Sequence, residues 1–411
     1  MFRTSIFSLY LTRHNETSFM ISISEAISIV KQNGAPLLQP IVKLVEKAGG
    51  YLLFEDVLSP INMPPFRQSA MDGYALNLHD NLSYKLIGEI KAGDDYEPKL
   101  KPGEAVRIFT GAPVPDSANA VMMQEKVEVN GKYISIIEHI PLEHNIRPLG
   151  EQVKKGAIAL KKGTKLTPAA IGYLISLGIT KASVYKKPNI AIVTTGNELI
   201  EAGQELTHGK IYESNSKMLL SALYNLKFYD VRLYKVEDDY TKTVDTLNSA
   251  INDNDLVLIT GGISVGDYDF VGKALKELQV EELFYKVKQK PGKPLFFGKS
   301  ETSKIFALPG NPAAALSCFY VYVYIALQQM MNRDTLELPR ITATVTNQFK
   351  KKGDRPQFLK GIYNAGKVEI LDGQNSSMLQ TFALANALVL APEDINNINA
   401  GDHIEVILLP K

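Results

Sequence analysis

The chain has 411 residues, 45 Lys plus Arg against 44 Asp plus Glu, and an ordinary apolar content of 45%. That length predicts two to four domains, and the near-zero net charge gives no sign of a nucleic-acid or anionic-membrane partner. Cys318 is the only cysteine, which excludes an internal disulfide or thiolate metal cluster and fits a reducing compartment.

The six histidines (His14, His79, His139, His144, His208, His403) are scattered, with no i, i+4 pair, so zinc hydrolysis is not expected. Residues 1–19 carry a short apolar patch broken by Ser8 and no A-x-A-like cleavage site, so they read as a disordered extension or a misassigned start codon. No later run reaches the ~18 consecutive apolar residues of a membrane span, and a soluble, cytoplasmic protein is expected.

From Met20 a helix starts at once. Residues 22–48 are predicted to form two short helices split at Gly34 and Pro36. PINMPP then turns the chain extended. YKLIGEI, AVRIF, AVMMQEKV and KYISII predict a small, mostly β domain inserted over residues 63–150. Residues 20–62 and 151–186 form a linking domain, with a helix capped by Thr167, opened by Pro168 and closed at Gly178.

After Pro188 the rhythm changes. NIAIVTT, DVRLYKV, DLVLIT, FYKVKQ and IFALPG alternate with helices over Ser214–Leu226 and Thr241–Asn252 and from Phe270. Apolar strands alternating with helices predict a doubly wound, mostly parallel α/β sheet over residues 187–334. PAAALSCFYVYVYIALQQMM reads as a long buried helix. Residues 335–411 (ITATVTNQF, QFLKGIYN, KVEILDG, ALVLAPE, HIEVILL) alternate like half-buried strands and predict a small barrel or sandwich.

An open parallel sheet binds ligand outside the carboxyl ends of its strands. That rim should carry Glu198 in TTGNEL, Asp238 in EDDY, Asp267 and Asp269 in TGGISVGDYDF, and Lys290, Gly292 and Lys293 in KQKPGKP, with Lys286 farther back on that strand. Gly261, Gly262 and Ser264 form a turn whose backbone N–H groups an anion can approach. Asn311 should cap a helix opened by Pro312, giving another anion-ready N-terminus. Each feature alone is usually a cap or a turn. Together on one edge they point to a phosphate- or oxyanion-handling enzyme, with lysines neutralising charge and carboxylates holding Mg²⁺. Outside the sheet, Asp72 in SAMDGYAL and Thr110 in RIFTGAPVP read from the residues alone as turn or corner positions, Arg147 and Arg355 as surface arginines. Cys318 reads as a packed apolar residue rather than a nucleophile.

PPFRQSAMDGYA, RIFTGAPVP, NIRPLGE, TTGNEL, TGGISVGDYDF, KPGKP and LPGNPAAAL, in this order across residues 20–411, resemble the MoeA family of molybdopterin molybdenumtransferases, related to the gephyrin E domain. The resemblance implies a four-part homodimer that inserts molybdate into adenylylated molybdopterin, with release of AMP and help from Mg²⁺. It suggests a molybdopterin adenylyltransferase as a further partner. By motif position it assigns roles to Asp72, Thr110, Arg147, Glu198, Asp238, Asp269, Lys286, Lys290, Arg355 and Ser376, with Glu198, Asp238 and Asp269 as metal ligands. It also implies that Asp72 and Thr110 serve the partner subunit's cleft. Lys293 and Asn311 are added from the rim argument. Two positions depart from the family pattern: Gln152 and Asn197 stand where acids are usual. Alternatives are a gephyrin-like scaffold, or a nucleotide pyrophosphatase of the competence-damage type built on the same sheet domain.

Overall fold

The computed structural model describes residues 20–262 and 270–410. The chain divides into two compact units, one holding Pro40–Tyr185 and the other the residues on either side, up to Gln39 and from Lys186 onward.

In the flanking unit, Ile190–Thr195 and Leu256–Thr260 are buried at every position, as strands covered on both faces must be. They lie in a six-stranded sheet ordered Val231–Val236, Ile190–Thr195, Leu256–Thr260, Lys304–Leu308, Phe296–Lys299, Glu281–Tyr285. The first four strands are parallel, and the last two join antiparallel. Alternation along each strand divides the core between the faces. Ile190, Ile192, Leu256 and Leu258 pack with helix Asn215–Asn225 and the helix beginning at Pro312. Ala191, Val193, Val257 and Ile259 pack with helices Tyr240–Asp253 and Phe270–Glu277.

The apolar run is a single helical stretch, Pro312–Met330, with one π-helical turn at Phe319–Val323. It is long and apolar enough to cross a membrane, but 83% of its most apolar window is buried in the protein, as a core helix requires. The five alternating runs that follow close into a barrel ordered Arg340–Val345, Lys367–Ile370, Gln357–Asn364, Ala387–Ala391, His403–Leu408.

In the Pro40–Tyr185 unit, the four predicted β runs are strands of another six-stranded sheet. The sequence reading missed its most buried member, Gly73–Leu76, which pairs with Glu104–Ile108 and Ala120–Met123. There a Cβ on Gly73 would fall 1.9 Å from the Met122 carbonyl oxygen, so the glycine serves close strand approach rather than a turn. The helix Pro168–Ser176 starts at its Thr167 cap as expected.

Two expectations are corrected. Only the first of the two helices predicted over residues 22–48 forms, Ile23–Asn33, opened by a Ser22–Glu25 capping box. Pro40–Leu44 is instead a strand paired antiparallel with Lys181–Tyr185. The β-branched Ile41 and Val42 suit it, but its partner lies far along the chain, where local periodicity cannot see it. The predicted strand FYKVKQ also stops early, at Tyr285, because Lys286 adopts φ +136° and the backbone leaves the sheet.

Candidate functional site

Strand Leu256–Thr260 ends in Gly261 and Gly262, at φ +94° and +62°. A Cβ on Gly261 would sit 2.5 Å from the Thr195 carbonyl oxygen, and one on Gly262 2.8 Å from Thr195 Oγ1. Only glycine lets these two strand ends meet. Beside them opens a cavity of about 1180 Å³, lined by Glu198, Gly261, Gly262, Lys290, Lys293, Asn311, Arg355 and Ser376 among other residues. Six of these, Glu198, Gly261, Gly262, Lys290, Lys293 and Asn311, stand where the strand-end rim was expected, and Arg355 and Ser376 join them from the C-terminal segment.

Its cations are seated from below. Lys290 N–H donates to the Pro356 carbonyl at 2.9 Å, and Phe358 N–H donates to the Lys290 carbonyl at 2.9 Å. Arg355 Nη1 donates to the Gln289 carbonyl at 3.0 Å. The lysine loop and the barrel loop are thus held side by side. Gln289 is buried, donates from Nε2 to the Gly292 carbonyl at 2.9 Å, and accepts from Tyr322 Oη, which ties the loop to the core helix. Lys288 is paired with Glu393 at 2.6 Å. Among the described residues, Lys290 and Lys293 have no ion-pair partner. Ammonium groups in a cleft attract and hold an anion.

The helix N-terminus at Asn311 does not work as expected. The Asn311 side chain makes no capping bond. The N–H groups of Ala313 and Ala314 donate to the Ser376 carbonyl at 3.1 and 3.2 Å, so a loop carbonyl occupies the position where an anion was expected. Asn311 Nδ2 instead donates to Ser376 Oγ at 2.9 Å. With Oγ accepting there, the Ser376 hydroxyl hydrogen remains available to a ligand oxygen.

The acids behave unequally. Glu198 lines the cavity with its carboxylate against Gly196. The structure does not bring Asp238 or Lys286 into the lining. Asp238 is locked to Asn197 in a reciprocal pair: Asn197 N–H donates to Asp238 Oδ2, and Asp238 N–H to Asn197 Oδ1, both at 3.0 Å. A neutral amide at position 197 suits that pairing, because a second carboxylate would face Asp238 with like charge. Lys286 stacks its ammonium over the Tyr285 ring at 5.0 Å. Ser264, Asp267 and Asp269 lie outside the described residues.

A separate constellation forms in the Pro40–Tyr185 unit. Asp72 Oδ1 accepts from both Thr110 N–H and Thr110 Oγ1, each at 2.7 Å. These bonds, backbone first, with a smaller pull from the Arg107 guanidinium, hold the Asp72 carboxyl below the usual carboxylate range. Arg147 pairs with Gln68 on the short strand that runs into this segment, and Gly111 N–H donates to the Ser69 carbonyl at 2.9 Å. Three motifs distant in sequence therefore share one exposed patch.

The sequence reading missed Asn215 and Thr195, which also line the cavity. Asn215 Nδ2 bridges Thr260 Oγ1 at 2.7 Å and the Gly310 carbonyl at 2.8 Å, tying two strand ends together. The signal was present: Ser214-Asn215-Ser216 is a polar cluster at the start of a helix on the same rim. Cys318 is fully buried, and burial pushes its thiol up to about 12, as the packed reading requires.

A parallel α/β sheet with glycine turns and lysines at its carboxyl edge, and a barrel supplying an arginine and a serine, defines an enzyme that handles phosphate or oxyanion ligands. Three family models together span most of the chain: the MoeA N-terminal region (domain I and II) matches residues 21–178, the "probable molybdopterin binding domain" residues 191–329, and the MoeA C-terminal region (domain IV) residues 342–409. A molybdopterin molybdenumtransferase from Haemophilus influenzae is 34% identical over 372 residues, covering 88% of this chain and 92% of its own. One from Staphylococcus epidermidis is 32% identical over 401 residues, covering 94% and 95%. The crystal structure of a molybdopterin biosynthesis MoeA protein from Pyrococcus horikoshii superposes with TM-score 0.78 at 30% identity, covering 95% of this chain and 100% of that one. The chain belongs to the MoeA family of molybdopterin molybdenumtransferases.

Proposed function

We propose that this enzyme transfers molybdate into adenylylated molybdopterin, releasing AMP and the molybdenum cofactor. The observation that carries the reading is the cavity at the strand ends. There Lys290 and Lys293 lack carboxylate partners among the described residues, beside Arg355 and the Ser376 hydroxyl. Molybdate is a tetrahedral dianion, and Lys290, Arg355 and Ser376 supply charge and hydrogen-bond donors to its oxygens. The pyrophosphate of the nucleotide substrate would lie over the Gly261-Gly262 turn, where no side chain covers the backbone, with Lys293 offsetting its charge.

Among the described residues, no three of His, Cys, Asp and Glu are grouped as a metal site. Mg²⁺ commonly takes one or two carboxylates plus substrate phosphates and keeps its waters, and Glu198 at the cavity wall suits that mode. Bound Mg²⁺ would neutralise charge on the phosphoryl oxygens. We also propose a homodimer in which Asp72 and Thr110 of one copy serve the cavity of the other, and substrate supply by a molybdopterin adenylyltransferase. A nucleotide pyrophosphatase needs neither the SAMDGYA nor the TGAPVP block, and a scaffold needs no cluster of lysines in a cleft, so neither alternative is favoured.

The test is incubation of purified protein with adenylylated molybdopterin, Mg²⁺ and graded molybdate. AMP release that rises with molybdate is expected. Release at the same rate without molybdate would overturn the reading.

A further inference from the structure

Among the described residues, the only fully buried charged side chains are Lys351 and Lys360, at 3% and 4% exposed, both in the barrel region. A buried ammonium is costly unless each of its hydrogens finds an acceptor. Lys360 meets that demand within one loop: Nζ donates to the carbonyls of Gly373 at 2.9 Å, Asn375 at 3.2 Å and Met378 at 3.2 Å. No carboxylate among the described residues pairs with it, and desolvation holds its pKa below the usual lysine range. The same residue anchors the loop by its backbone, because Lys360 N–H donates to Gln374 Oε1 and Gln374 Nε2 donates to the Lys360 carbonyl, both at 2.9 Å.

This loop carries Ser376, and both peptide groups flanking Ser376 are pinned. The Asn375 carbonyl lies on the Lys360 ammonium, and the Ser376 carbonyl accepts from Ala313 and Ala314 at the start of the core helix. The peptide between Asn375 and Ser376 is trans and planar, so its N–H points opposite to its carbonyl, away from Lys360. Asn375 and Ser376 both line the cavity.

We propose that Lys360 is a positioning residue for oxyanion binding: its ammonium, gathering three carbonyls beneath the loop, sets Ser376 so that N–H and hydroxyl are both presented to one ligand oxygen. The inference rests on the transferase reading, in that molybdate is the oxyanion. It assigns work to a side chain that never touches substrate.

The experiment compares Lys360→Met and Lys360→Gln with the unaltered enzyme in molybdate-dependent AMP release, with a thermal melt to confirm folding. Loss of this support should raise KM for molybdate by about tenfold or more in Lys360→Met, the scale of lost outer-shell support for a ligand, while kcat at saturating molybdate changes far less. Lys360→Gln, which keeps two of the three donors, should show a smaller rise and carries the test if Lys360→Met does not fold. A double-mutant cycle with Ser376→Ala should be strongly non-additive, because both changes remove one interaction. Amide exchange at Ser376 and Ser377 should quicken in either Lys360 variant, a readout independent of turnover. A folded variant with unchanged KM and unchanged exchange would overturn the proposal. Failure of the transferase reading is distinguishable: it appears in the unaltered enzyme, as AMP release indifferent to molybdate.

Discussion

The cavity at the strand ends and the Asp72–Thr110 patch both carry charge, but in opposite conditions. In the cavity, Lys290 and Lys293 have no acid partners among the described residues, and the Ser376 hydroxyl has a hydrogen to give. In the patch, Asp72 is already satisfied by two donors from Thr110, and Arg107 lies 5.0 Å from each of the Tyr74 and Phe109 ring centres. The first region is prepared to receive an anion. The second presents a carboxylate fixed in place and kept ionised. The difference separates binding charge from directing charge, and it can be broken experimentally at each end.

The largest effect should come from the cavity cations. Lys290→Ala or Arg355→Ala should each lower kcat/KM for molybdate-dependent AMP release by about a hundredfold, the scale of a lost oxyanion donor. The melting temperature should change little in Lys290→Ala, because Lys290 supports no ion pair among the described residues, and fall more in Arg355→Ala, which also loses the bond to the Gln289 carbonyl. Next comes the patch. Asp72→Asn should reduce turnover by about tenfold, below the ~100-fold or more of a group that itself transfers the proton. Mixing that variant with Lys290→Ala should restore activity above either variant alone if the patch serves the other copy's cavity. No recovery on subunit exchange would place both functions in one copy.

The pH dependence has a definite sign. Asp72 is depressed on folding, so its bonds to Thr110 contribute above the ordinary carboxylate pKa and are lost only as pH falls through the lower, folded value. Thr110→Val removes one of the two donors, so the acid limb of the pH–rate profile should move upward. An unmoved limb would show that Asp72 does not control it.

How far these regions were legible follows from what makes each. The sheet rim was readable because strand, glycine turn and cation are neighbours in sequence: TGG and KPGKP announce themselves. The barrel's five strands were readable by alternation, as half-buried strands are. Asp72 and Thr110 looked like turn residues, because their partnership spans two motifs and appears only once Gly73–Leu76 is seen as a buried strand. The support under Ser376 was invisible for a related reason. A lysine in QFLKGIYN reads as an outward-facing strand residue, and it is buried only because the loop over residues 373–378 folds across it. Asn311 lines the cavity, but the helix N-terminus there looks open in the sequence until a loop carbonyl from far along the chain fills it.

Smaller effects sharpen the contrast. Asn197→Asp would set a second carboxylate against Asp238, and if the proposed Mg²⁺ binds beside this pair, less Mg²⁺ should be needed for half-maximal rate, since cation affinity follows local ligand charge. An unchanged Mg²⁺ titration would mean this pair lies outside the cation's reach. Smallest of all, Cys318, with its thiol raised to about 12 by burial, should resist thiol reagents in the folded enzyme and react only on unfolding.

The most direct measurement is the position of molybdenum in a crystal of this protein soaked with molybdate, located by its anomalous scattering. The account predicts a peak in the strand-end cavity within hydrogen-bond reach of Lys290, Arg355 and Ser376, lost in Lys290→Ala. A peak elsewhere on the molecule, with that cavity empty, would contradict it.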